Sequence, residues 1–170
     1  QVEARGRAVR VGHQQRFPVG GQFGKITGTV HFDPPDLAHL SVEAEIDVRS
    51  ITTSHQARDE HLLSPDYLDV AKSPKIIFKS TKVEAIGGNR CRVIGDMTLR
   101  GITRPVTLDL EYFGPVKSPF SGISCVGFMG TAKINREDFG MTSNIEMEGG
   151  FVVGKEVQIT FDVQADLATD

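Results

Sequence analysis

The chain has 170 residues, a length that suits one domain with a sizeable core. Its 19 Lys and Arg stand against 22 Asp and Glu, a formal net charge of −3, which lacks the basic excess of a nucleic-acid binder. No apolar run is long enough for a membrane span.

Taken in chain order, the residues punctuate themselves into strands. A first strand is expected around 6–13. After VGGQFG (19–24) comes GKITGTVHF (24–32), and DPPD (33–36) is a turn. LSVEAEIDV (40–48) alternates with period two: Leu40, Val42, Ala44, Ile46 and Val48 share one face, and Ser41, Glu43, Glu45 and Asp47 the other. KIIFKSTKV (75–83) and CRVIGDMTL (91–99) follow, joined across GGNR (87–90), with Ile94 out of step. RGIT (100–103) leads into VTLDLEY (106–112), and GPVKSP (114–119) reads as a longer loop before ISCVGFMGTAKI (123–134). VQITFDVQA (157–165) closes the series with another clean alternation. There is no internal repeat and no linker, so residues 1–170 are expected to form a single domain.

About eight antiparallel strands with one apolar face can stack as a sandwich or close as a barrel. Short hairpins in up-and-down order and a continuous charged face favour an all-β, eight-stranded antiparallel barrel. Such a barrel holds packed side chains or one small ligand. Its expected lining is Phe23, Ile26, Val30, Val42, Ile46, Phe78, Met97, Leu99, Leu108, Leu110, Ile159 and Phe161. No ionisable residue falls on these alternating apolar faces, so any ligand inside is expected to be apolar.

Residues 50–70, SITTSHQARDEHLLSPDYLDV, break the strand pattern. SHQARDEHLL reads as a helix capped by Ser54, with Thr52 and Thr53 as alternatives. SPDYL reads as a second helical turn, with Ser64 as cap and Pro65 at its first position. A metal or acid–base site would use His55, Asp59 and His61. In a helix, however, His61 points about 120° away from Asp59, and zinc takes three or four protein ligands. The favoured expectation is a non-catalytic clasp over one barrel mouth. In it, Leu62, Leu63, Tyr67 and Leu68 form the underside and Gln56 and Glu60 face water. Arg58 and Asp59 hold it, with His61 joining their network, and His55→Ala should do little.

Other candidates are weaker. There is no GxSxG elbow, and the glycine-rich 19–24 and EGGFVVG (148–154) match neither GxGxxG nor a P-loop. Arg136, Glu137 and Asp138 are expected to form a turn with an Arg–carboxylate pair. Cys91 and Cys125, the only cysteines, fall on strands separated by one other. That is roughly 10 Å at about 4.8 Å per strand, too far for a disulfide, so both should stay reduced; lying inside strand patterns, both are expected to be inert core thiols.

Several ordered motifs give the chain a resemblance to a family: SITT with RDEHLLSPDYLDV, then SPKIIFKST, GDMTLRGITRPVTL and INREDFGM. They resemble the YceI-like family of bacterial lipocalin-like proteins. The resemblance runs from near His13 and Phe23 to the last strand. Arg58, Asp59 and His61 fall on its RDxHL motif, and Arg136, Phe139 and Gly140 on its NRxDFG motif. It implies a lipocalin-like barrel with short helices in the connection near 54–70. It also implies a long apolar ligand, such as a polyisoprenoid or isoprenoid quinone, carried or stored inside. It brings no catalytic residues, metal or cofactor, and a homodimer is compatible with it. The expected compartment is periplasmic or secreted if a leader was removed, and cytoplasmic otherwise. The competing expectations are a small metal-dependent enzyme using His55, Asp59 and His61, and a structural barrel without ligand.

Overall fold

A computed structural model describes the backbone of residues 2–13, 19–144, 146–147, 150–151 and 153–167, and the side chains of 19–144 and 153–166. Alternation becomes strand throughout: β1 (Val2–His13), β2 (Gly20–Phe23), β3 (Ile26–Asp33), β4 (Asp36–Asp47), β6 (Lys75–Gly87), β7 (Arg90–Leu99), β8 (Ile102–Lys117), β9 (Ser124–Asn135) and β12 (Glu156–Leu167). Two short elements, β5 (Ile51–Thr52) and helix α1 (Gln56–Leu63), lie between β4 and β6. The strands β10 (Glu146–Met147) and β11 (Gly150–Phe151) pair only with each other.

The main ladder runs β12-β9-β8-β7-β6-β4-β3-β1, and β1 pairs in turn with β12. The ring therefore closes, every pairing in it is antiparallel, and no free edge is left in it. One side of β1 is shared. Val2–Gly6 pair with β3 and Val9–Gly12 with β2, so β2 and β3 act as one strand broken at Gly24 and Lys25. The outer face is laced by exposed cross-strand pairs such as Lys75–Glu45, Lys79–Glu43 and Arg92–Asp109. Pairs of this kind contribute little to stability but keep the outside soluble while the inside stays apolar.

The two ends differ. At one end the strands turn through short hairpins, at 34–35, 88–89 and 118–123. Beneath them Phe32 packs edge-on against Tyr112 and Phe128, with ring centroids 4.9 and 5.9 Å apart. Leu37, Leu40, Val93, Val126 and Ala165 complete this floor. At the other end lie the long connections: 48–74 with α1, the tight 100–101 turn, and the segment between β9 and β12.

Four expectations are corrected here. The helix cap is His55, not Ser54. Ser54 sits at φ 60°, whereas His55 is extended and its Nδ1 accepts the Arg58 amide at 3.3 Å. Residues 64–72 form hydrogen-bonded turns instead of a second helix, because the amides of Leu68 and Asp69 reach back to Leu62 and Ser64. β8 continues through 114–117, where a loop was expected, since Val116 and Lys117 still pair with Cys125 and Ser124. Cys125 is half-exposed on the outer face instead of lying in the core, with Cys91 fully buried; both thiols are free. Of the stretch 148–154, residues 148, 149 and 152 lie outside the described ones.

Candidate functional site

The inward faces enclose a cavity of about 460 Å³, within the range of small-molecule pockets. All twelve residues expected from alternation stand on its wall: Phe23, Ile26, Val30, Val42, Ile46, Phe78, Met97, Leu99, Leu108, Leu110, Ile159 and Phe161. The clasp adds Ile51, Leu62, Tyr67 and Leu68, and β9 adds Phe128 and Ile134. The β9 residues went unnamed because Gly127 and Gly130 interrupt the apolar rhythm there, although Val126, Phe128, Ala132 and Ile134 all point inward and are buried.

Two glycines shape the bore. A Cβ on Gly130 would lie 2.2 Å from Cζ of Phe161, its partner across the ladder, and one on Gly95 would lie 2.5 Å from Cζ of Phe78. Both rings thus lie against bare backbone in the neighbouring strand instead of projecting into the lumen. Phe78 is buried and Phe161 half-buried against the wall, and the centre stays open.

The mouth is polar, which strand periodicity did not reveal. Arg58, His61 and Arg136 reach the cavity from the connections. Arg58 and Asp59 converge on Thr53. Arg58 Nε donates to the Thr53 hydroxyl at 2.7 Å and Nη2 to its carbonyl at 3.0 Å. Asp59 Oδ1 accepts from the Thr53 amide at 2.8 Å and hydroxyl at 2.5 Å. The hydroxyl's bond holds the Asp59 carboxyl below its ordinary pKa, against a smaller desolvation effect. Because Thr53 follows β5, which pairs with Gln22 and Phe23 of β2, the grip anchors α1 to the barrel rim. His61 does not join this network: its Nε2 lies 3.1 Å from Asp66 and its ring packs edge-on against Tyr67.

Arg136 is 2% exposed and, among the described residues, makes no carboxylate pair; the expected pairing with Glu137 or Asp138 is absent, since Glu137 turns to Lys155. Nε donates to the Gly154 carbonyl at 2.9 Å, Nη1 to those of Ser143, at 2.8 Å, and Met141, and Nη2 to Val153 at 3.4 Å. It gathers both arms of the β9–β12 connection, while Glu137 pairs with Lys155. Arg100, in the β7–β8 turn at φ 57°, donates through Nη1 to the carbonyls of Tyr67 and Gly140, each at 3.2 Å. It ties the clasp to the NREDFG turn. Nothing in its local sequence marks this role, since both acceptors are backbone.

His55, Asp59 and His61 are not brought together: His55 caps the helix, Asp59 holds Thr53 and His61 faces Asp66. Among the described residues, no three His, Cys, Asp or Glu side chains gather closely enough to hold a metal. No helix among them is long and apolar enough to cross a membrane.

Comparison with known proteins agrees with this architecture. Residues 1–165 match the model of the YceI-like domain. A UPF0312 protein of Vibrio cholerae is 35% identical over 144 residues, covering 82% of this chain and 76% of the relative. Among solved structures, Burkholderia cenocepacia BcnA superposes with a TM-score of 0.80 at 26% identity, covering 98% of this chain and 96% of that one. A polyisoprenoid binding domain from Saccharophagus degradans, implicated in plant cell wall breakdown, shares the fold at 12% identity, with a TM-score of 0.66 and 98% coverage of both chains. On the family match across its length and the Vibrio relative, this chain belongs to the YceI-like domain family.

Proposed function

We propose that the protein binds and carries or stores a long apolar lipid, of the polyisoprenoid or isoprenoid quinone class, in the barrel interior. One observation carries the reading: a cavity of about 460 Å³ whose strand-borne wall is predominantly apolar, with Thr27 and Glu43 as its polar strand residues. Each methylene moved from water into such a wall gains about 0.8 kcal/mol before ordering costs, so tail burial alone supports firm binding. The Saccharophagus barrel is described as polyisoprenoid-binding, and a fold of this kind therefore accommodates that ligand class.

The test is an organic extract of natively purified protein, read by mass spectrometry, followed by delipidation and rebinding. A prenyl lipid at near-stoichiometric yield, displaced by added long-chain lipid, is the expected result. Repeated extracts free of lipid, together with no uptake after delipidation, would overturn the reading.

A further inference from the structure

The outer wall is laced with charged pairs, but one hairpin is not. β8 and β9 run on beyond β7. The last tie of β8 to the β7 side is the Tyr112 amide on the Asn89 carbonyl, whereas β8 still pairs with β9 as far as Lys117 and Ser124. Phe113, Val116, Phe120, Ile123 and Met129 of this hairpin are all exposed, and Phe120 at its tip is 98% exposed. Residues 113–125, FGPVKSPFSGISC, carry a single charged side chain, Lys117, and no acid, in a chain with 22 Asp and Glu.

The tip also satisfies its own amides. The N–H groups of Phe120 and Ser121 donate to the Ser118 hydroxyl, and that of Ile123 to the Ser121 hydroxyl. The Ser118 amide donates to the Ile123 carbonyl and the Gly122 amide to the Ser118 carbonyl. Pro119 has no N–H. Every backbone donor from 118 to 123 is thus satisfied without water, as entry into a water-poor phase requires.

A second protein chain fits this surface less well. An added strand would need an open edge, and Pro115 with the irregularity between Phe113 and Val116 blunts this one. A protruding ring needs a receiving pocket on a protein partner, and the outer wall of another copy offers it charge pairs such as Lys79–Glu43 and Arg92–Asp109. A lipid interface takes in an aromatic ring without a matched recess, and a lysine beside it favours anionic headgroups.

We infer that the 113–125 hairpin docks the protein on an anionic lipid bilayer, with Phe120 and its apolar neighbours in the headgroup region and Lys117 among the phosphates. The hairpin lies at the closed end of the barrel, so the clasp then faces away from the bilayer. The inference concerns the outer surface and goes beyond the cavity reading without depending on it.

Flotation of the full chain with vesicles tests it, one set of phosphatidylcholine alone and the other of phosphatidylcholine and phosphatidylglycerol in equal parts. The chain has no Trp, so Phe120→Trp, at a side chain that packs against almost nothing, supplies a lone fluorescent reporter. Its emission should shift to the blue when the mixed vesicles are added and be quenched by brominated lipid. The mixed vesicles should hold the unaltered protein roughly five-fold more tightly than the neutral ones, and Lys117→Gln should erase that difference. Phe120→Ser should weaken binding about ten-fold, whereas Ile77→Ser, at an exposed apolar residue elsewhere on the wall, should not. No flotation of the unaltered protein with either vesicle overturns the inference, and so does flotation that Phe120→Ser leaves unchanged. A blue shift that follows protein concentration in the absence of vesicles overturns it in favour of a second copy. Lipid inside the barrel is read separately by the organic extract, so either reading can fail while the other stands.

Discussion

The ring of Phe161 lies directly on Gly130 across the β9–β12 ladder, so close that a Cβ there would stand 2.2 Å from its Cζ and 2.5 Å from the Asp109 carbonyl oxygen. Gly130→Ala should therefore swing the ring into the lumen and strain the β8–β9 pairing. The expected cost is about 1–3 kcal/mol, as for other overpacked interiors, with weaker lipid uptake. The double variant Gly130→Ala with Phe161→Leu should recover part of both. Thermal melts and fluorophore titration of the two variants check this.

Arg136 is the buried cation whose loss should matter most to folding. Arg136→Met would remove the donor shared by the carbonyls of Met141, Ser143, Val153 and Gly154, although Val153 keeps Asn144 Nδ2. The expected destabilisation is roughly 2–4 kcal/mol, because a lost hydrogen bond to a charged group costs about 1.5–3 kcal/mol and the freed loop will let some of the carbonyls be hydrated. Arg136→Lys should recover only part of this, since an ammonium cannot span four acceptors that a planar fork reaches. Urea denaturation midpoints separate the two variants.

The Thr53 grip predicts an acid-side loosening of the clasp. The Asp59 carboxyl has its pKa lowered from 3.8 by the Thr53 hydroxyl. Its contribution is thus fully present above 3.8 and is lost as pH falls through the lowered value. The Thr53 amide resonance, followed by NMR, should titrate on the acid side of 3.8 in the unaltered protein and stay flat in Asp59→Asn. A Thr53 resonance that instead moved near neutrality would contradict the assignment.

Thr53→Val keeps the shape of the rim and removes the hydroxyl shared by Arg58 and Asp59. It should cost about 1–2 kcal/mol and speed lipid exchange. His55→Ala, expected from sequence to be silent, should now cost several tenths of a kcal/mol, since it removes the side chain that accepts the Arg58 amide. Stopped-flow displacement rates and melting temperatures rank the pair.

The two thiols should label at different rates. Burial raises the Cys91 pKa, and its side chain is wholly inaccessible. Cys125 is half-exposed, with Sγ 3.4 Å from the Val116 carbonyl. Iodoacetamide at mildly alkaline pH should modify Cys125 in the native protein and Cys91 only on unfolding. Because the folded Cys91 pKa is raised, its contribution to stability is complete below the ordinary thiol value and declines as pH rises beyond it. Equal labelling of both in native protein would contradict the inward placement of Cys91.

The wall was legible because alternation is a property of side chains: Val42, Ile46, Leu108 and Phe161 declare their side of the sheet by period alone. The mouth was not, because its chief fastenings end on backbone. Arg100 and Arg136 donate to carbonyls of Tyr67, Gly140, Ser143 and Gly154, and every residue type carries a carbonyl. The cap was misplaced for a related reason. Ser54 is the better capping residue by composition, but its left-handed backbone removes it from the capping position, and His55 takes over. The glycines at 95 and 130 have no side chain to declare a face, and their use emerges only when the rings of Phe78 and Phe161 are seen lying on them.

The Arg100 side chain, held between Tyr67 and Gly140, separates two quantities that a simple greasy pocket would merge. With the clasp and the NREDFG turn fastened through one guanidinium, a lipid bound as proposed and leaving by this mouth would go no faster than those two flaps part. Lengthening its tail would deepen the equilibrium without moving that clock. On that reading residence time would be a property of the protein's latch, and occupancy a property of the guest.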